Sequence, residues 1–109
     1  MPDYILCRTD QLVEGRGRPG RAADRYLAVF LVEGEVHVLD NQCLHAESPI
    51  DGGPVVDGVV HCPWHGWSYD LHTGDLLTGF GPRPGLARYP CRVEDGVVKV
   101  TLTDDPVGN

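Results

Sequence analysis

The sequence predicts an all-β fold, an antiparallel β-sandwich or barrel, and three observations predict it. Runs of strand-forming residues recur about every eight to twelve residues, with turn residues between them. Fourteen Gly and nine Pro are spread along the 109 residues rather than gathered in a low-complexity tail. Apolar residues do not recur at helical spacing anywhere except one turn's worth around residues 9–15.

The elements follow in order. "YILCR" (4–8) alternates and is rich in strand formers. "TDQLVEG" (9–15) offers a single helical turn, and "RGRPGRAAD" (16–24) reads as a loop because Gly, Pro and charge dominate it. "YLAVFLV" (26–32) is a continuous apolar run, the pattern of a strand covered on both faces. "EGE" (33–35) turns the chain, and "VHVLD" (36–40) returns as its hairpin partner. "VVHCP" (59–63) and "GWSYDL" (66–71) form a second strand pair around a tight turn, followed by the turn "HTGD" (72–75). "LARYPCRVED" (86–95) leads through Asp95-Gly96 into "VVKVTL" (97–102), and Asp-Gly between apolar runs is a strong hairpin signal.

The length suits one domain, 1–109, with one core. Net charge is −7, whereas a binder of nucleic acid or of an anionic membrane should be basic. No Lys or Arg lies between Tyr26 and Pro82, and eight carboxylates do. If the chemistry of this stretch gathers at one end of the fold, that end is expected to be negative. "MPDYILCRTDQ" lacks the basic start and apolar run of a signal peptide, and no window is long and apolar enough to span a bilayer. These features point to a cytoplasmic protein whose cysteines are reduced or metal-bound.

Two tight clusters carry the chemistry: "CLH" (43–45) and "CPWHGW" (62–67). Thiolate and imidazole are the side chains that bind soft and borderline transition metals best. Cys43, His45, Cys62 and His65 have the composition of a tetrahedral zinc site. Zinc modules usually pair like with like, however, and here each loop mixes one sulfur with one nitrogen. A dinuclear centre accounts for the mixing better, with each loop sending its cysteine to one iron and its histidine to the other. The cluster-binding part is expected at about residues 41–82.

With C-x-H, then sixteen residues, then C-P-x-H-G, the chain resembles the Rieske family at every ligand position. "GFGPRPGL" (79–86) resembles the proline loop that covers the cluster in that family, and the resemblance extends from about Tyr4 to Leu102. It implies one [2Fe-2S] cluster, with Cys43 and Cys62 on the inner iron and His45 and His65 on the outer iron, nearer solvent. Two ferric ions, two sulfides and two thiolates sum to zero charge, and one electron makes the centre −1. Histidine ligation raises such potentials to about −150 to +300 mV. High-potential members carry two further cysteines that clamp the loops, and a serine that donates to the cluster; here those places hold "AESPI" (46–50), Trp64 and Trp67. Fewer donors disfavour the reduced form, so a low potential is expected. Tyr69 occupies the place of a second tuning donor, with Cys43 sulfur as its expected target, or else packs as a core tyrosine. The ionisable N–H groups of bound imidazoles imply a potential that falls at alkaline pH.

The remaining candidates read more plainly. Cys7 and Cys91 are expected to pack as small buried hydrophobes. His37, His61 and His72 read as surface or hydrogen-bonded histidines. Trp67 is expected to shield the cluster, and Trp64, at the hairpin tip, to contact a partner.

No nucleophile constellation or nucleotide loop is visible, and the iron site of Rieske oxygenases needs a further domain. The resemblance therefore implies an electron carrier that is not catalytic alone. It would take electrons from a flavin-dependent ferredoxin reductase using NAD(P)H and pass them to a terminal oxygenase, as ferredoxin components of ring-hydroxylating dioxygenase systems do. The small subunit of assimilatory nitrite reductase is a second family member of this size, and a zinc-bound interaction module is a third, colourless possibility.

Overall fold

The computed structural model describes residues 3–42, 49–63, 66–78 and 84–102. Among the described residues, ten strands and one short 3-10 turn follow in order: β1 (Asp3–Arg8), the turn Thr9–Gln11, β2 (Arg16–Ala22), β3 (Arg25–Val32), β4 (Glu35–Asp40), β5 (Val55–Val56), β6 (Val59–His61), β7 (Ser68–Asp70), β8 (Arg88–Tyr89), β9 (Cys91–Glu94) and β10 (Val97–Thr101). They form three antiparallel sheets, ordered β1-β10-β9, β2-β3-β4-β8 and β5-β6-β7. The all-β reading therefore holds, and the one helical turn is the 3-10 segment after β1.

The four-stranded sheet is the middle layer. From β3, Leu27 and Val29 join β4's Val38 in one core, with Cys7, Tyr89, Val98 and Val100 from the strands around them. The alternate residues Ala28 and Phe30 join Leu39 in a second core, against Val60, Cys62, Tyr69 and Leu71 of the small sheet. β3 is thus covered on both faces, which is why its sequence is an unbroken apolar run. Full burial of a side chain such as Phe30 contributes about 1.5–3 kcal/mol.

One element differs from the sequence reading. Residues 16–24, expected as a loop, supply β2, which pairs with β3 from Arg16↔Leu31 to Ala22↔Arg25. β2 is an edge of the four-stranded sheet, where Pro19 and alternating arginines are tolerated and discourage pairing with another chain. Gly17 is required by packing rather than by a turn. A Cβ there would press on the Phe30 ring and on the Asp51 carbonyl.

The hairpin turns follow their sequence signals. Glu33-Gly34 and Asp95-Gly96 both adopt positive φ (52° and 79°, then 52° and 75°). Asp57-Gly58 makes a third such turn between β5 and β6, which the sequence reading did not pick out. Glu14 braces the first turn, accepting from the backbone N–H of Glu33 (2.6 Å) and of Gly34 (3.1 Å). Cys7 is buried in the first core and Cys91 donates to the Val36 carbonyl (3.4 Å). Burial pushes both thiols up, so they stay protonated and unreactive.

Tyr89 ties three strands together. Its hydroxyl donates to Asp40 Oδ1 (2.6 Å) and accepts from Arg25 (3.0 Å). Burial and then the Asp40 hydrogen bond push its ionisation up to about 12, against an ordinary value of 10.0. A raised folded value means stability that is complete below pH 10 and is lost as pH rises from 10 toward 12. Urea unfolding of the wild type, followed against pH, should lose stability across that window relative to Tyr89→Phe, which lacks the titrating group. Parallel curves for the two proteins would contradict the assignment.

Candidate metal centre

Of the four candidate ligands, the structure places Cys62. It directly follows β6, is buried at 2% exposure, and packs in the second core. Its backbone N–H donates to the Trp67 carbonyl (2.7 Å), and Gly66 N–H donates to the Cys62 carbonyl (2.9 Å). Those two bonds close the tip of the β6–β7 hairpin, and Gly66, at φ 73°, makes the return. Cys43, His45 and His65 lie outside the described residues, as do Trp64, residues 46–48 and residues 79–83 of the proline loop.

The framework around these segments is described. Asn41 closes the first loop: its Oδ1 accepts from the backbone N–H of Ile50 (2.8 Å) and Asp51 (3.0 Å), and its Nδ2 donates to Asp51 Oδ1 (2.9 Å). One side chain thereby pins both ends of the segment that contains Cys43 and His45. The stretch that enters the third loop runs back beside β7, with Leu77 N–H on the Ser68 carbonyl (2.8 Å) and Ser68 N–H on Thr78 Oγ1 (2.8 Å). The loop closes where Leu86 N–H donates to the Gly74 carbonyl (2.9 Å). All three loops therefore leave the scaffold from fixed points.

Below the hairpin tip the Ser68 hydroxyl meets His61 Nδ1 (3.0 Å), so His61 is engaged across the strands. A Cβ at Gly53 would fall on the His61 carbonyl, which brings the end of the first loop against the strand that ends at Cys62. Trp67 packs against the second core and Tyr69 is fully buried within it. Tyr69's expected target, Cys43 sulfur, lies outside the described residues.

Among the acidic side chains expected to make one end negative, Glu47 lies outside the described residues. Of the acidic side chains between Tyr26 and Pro82, Asp40 and Asp51 flank the first loop, and each is already hydrogen-bonded, to Tyr89 and Asn41. Glu33 and Glu35, at the β3–β4 turn, and Asp57 and Asp70, at the root of the β6–β7 hairpin, lie at the opposite ends of their strands from Asp40 and Cys62.

The donor set fits an iron–sulfur centre as far as it is described. A cysteine sulfur with no room for solvent, in an apolar wall, at the tip of a braced hairpin and beside a pinned loop, is how a sheet scaffold holds a metal cluster. The class so defined is a loop-held metal centre on an all-β scaffold. Residues 3–90 match the Rieske [2Fe-2S] domain, and the chain belongs to that family. It therefore carries a Rieske-type [2Fe-2S] cluster.

The relatives agree. The chain is 30% identical over 106 residues to the 3-phenylpropionate/cinnamic acid dioxygenase ferredoxin subunit of Photorhabdus laumondii, covering 96% of this chain and 99% of that protein. Among solved structures it resembles a Sphingomonas yanoikuyae B1 ferredoxin (TM-score 0.83, 30% identity, 94% of this chain and 100% of that one). It also resembles a putative NADH-dependent nitrite reductase small subunit from Mycobacterium tuberculosis (TM-score 0.85, 26% identity, 95% and 97%).

Asn41 was absent from the sequence reading, although an Asn at a strand end before a loop is a residue type that caps backbone N–H groups. Asn41→Ala leaves two backbone donors and the Asp51 carboxylate without their partner, at a cost of about 1–3 kcal/mol. The expected result is a lower thermal midpoint and faster bleaching of the cluster's visible absorption on dilution. An unchanged bleaching rate would show that the first loop holds without this brace.

Proposed function

We propose that this protein is a soluble one-electron carrier, a low-potential Rieske ferredoxin that catalyses nothing alone. The observation that carries the reading is the end-to-end correspondence with a protein named as a dioxygenase ferredoxin subunit, covering 99% of its length. In this reading Cys43 and Cys62 hold one iron of the cluster, and His45 and His65 hold the other. The cluster supplies a single reversible electron step. The chain's own contribution is to bury the Cys62 sulfur, fix the loops and place the two histidines toward the partner. Electrons come from a flavin-dependent, NAD(P)H-linked reductase and leave to a terminal oxygenase. The potential belongs near the bottom of the Rieske range, about −150 mV, because the place of a clamping cysteine in high-potential members is Trp64 here and the place of the donating serine is Trp67.

A second reading has its own support. The match to a nitrite reductase small subunit is as complete in coverage as the ferredoxin match. In that reading the same cluster works as a bound subunit. Affinity purification from the native host separates the two: a free shuttle elutes alone at high salt, and a subunit retains its large partner.

The central test is optical and EPR spectroscopy of freshly purified protein before and after dithionite. A brown protein with a rhombic reduced signal of low average g is expected, and Cys62→Ser should lose both colour and signal. A colourless wild type holding zinc, purified anaerobically with iron supplied, would overturn the electron-carrier reading.

A further inference from the structure

A second group of metal-binding side chains lies at the root of the β6–β7 hairpin, at the other end of that hairpin from Cys62. Glu35 and His37 come from β4, and His72 follows β7. One ligand atom from each lies within 4.8 Å of the other two. His37 Nε2 is 3.8 Å from Glu35 Oε2, and the two imidazole rings meet edge-on with centroids 4.7 Å apart. His37 is 2% exposed, and its Nε2 is buried without a hydrogen-bond partner. His72 and Glu35 are exposed (58% and 70%).

We infer that Glu35, His37 and His72 form a binding site for a divalent transition-metal ion of the zinc type, separate from the iron–sulfur centre. Two imidazoles and a carboxylate are a donor set that zinc accepts, with a fourth position left to water. Zinc bonds of about 2.0–2.1 Å require the ligand atoms to close to about 3.3 Å from one another. The swing of two exposed side chains provides that, while buried His37 stays in place. Asp70 lies beside His72, its Oδ1 3.5 Å from His72 Nδ1, so in the proposed site Nε2 is the ring nitrogen left for the ion. Asp57 and Asp70 add negative charge at the same end of the hairpin.

Arg88 sets the proton inventory. Its guanidinium reaches His37 Nδ1 (3.0 Å) and the Leu71 carbonyl (3.0 Å). Guanidinium can only donate, so Nδ1 accepts and the neutral ring carries its proton on Nε2. Binding therefore requires the ring to lose its Nε2 proton first and, through solvent, to gain one on Nδ1, where Arg88 gives up its contact while keeping Leu71. The Nε2 lone pair freed in this way goes to zinc. No net proton is released. The ion would join β4 of the middle sheet to the root of the hairpin.

The test is calorimetric titration of zinc into the full chain with its iron–sulfur cluster loaded, at neutral pH. The cluster's visible spectrum is monitored so that exchange at Cys62 is detected. One zinc per chain is expected, with a rise in thermal midpoint from binding the folded state. His72→Gln and Glu35→Gln, both at exposed positions, should each weaken binding by about tenfold or more. Arg88→Gln should tighten it, because a carboxamide oxygen can accept from Nδ1–H and hold Nε2 toward the metal. No zinc uptake by the wild type, or uptake unchanged in both His72→Gln and Glu35→Gln, would overturn the site.

Discussion

β3 belongs to two cores at once, and the rest of the structure depends on it. Leu27 and Val29 close the larger β-layer, and Ala28 and Phe30, from the same strand, carry the small sheet that holds the metal centre. A strand in this position cannot spare a polar face, since an unpaired polar side chain would be buried on either side. The same demand reaches sideways. Gly17 on the neighbouring strand has no side chain because Phe30 and the Asp51 carbonyl occupy its place. Through that contact the middle sheet presses on the end of the first metal-binding loop, so packing and ligand placement are one constraint.

This two-sided burial was legible in the sequence because it removes the usual alternation and leaves a plain apolar run. The hairpins at Glu33-Gly34 and Asp95-Gly96 were legible for a related reason: positive φ restricts the residues allowed. β2 was not. Its side chains face solvent or a narrow gap, so Arg, Gly and Pro leave no apolar signal, and only pairing with β3 makes it a strand. β5 was missed because two residues are too few to carry a period. Tertiary pairing decided both, and propensity could not.

The site divides in the same way. The C-x-H and C-P-x-H-G spacing pointed to the family because a dinuclear cluster admits very few arrangements of mixed sulfur and nitrogen ligands. The groups that hold the loops were silent, because Asn41, Gly53 and Thr78 act on backbone atoms that become neighbours only after folding. His37, read from the sequence as surface or hydrogen-bonded, is the hydrogen-bonded kind and buried. It sits on the β4 face that points to the small sheet, and the guanidinium of Arg88 supplies the hydrogen bond that makes its burial tolerable.

Charge placement follows from the redox step. The oxidised cluster with its two thiolates is neutral and the reduced one is −1, so any carboxylate beside it opposes the electron. Among the described residues, the two acidic side chains that flank the first loop are not bare charges: Asp40 accepts from Tyr89, whose oxygen is held by Arg25, and Asp51 accepts from Asn41. Glu33, Glu35, Asp57 and Asp70 stand at the far ends of their strands, and salt screens exposed charges beyond about 8 Å. The proposed low potential rests instead on the residues around the hairpin tip, Trp67 among them. At the hairpin root two imidazoles and a carboxylate converge beside the Arg88 guanidinium, at the other end of the β6–β7 hairpin from Cys62.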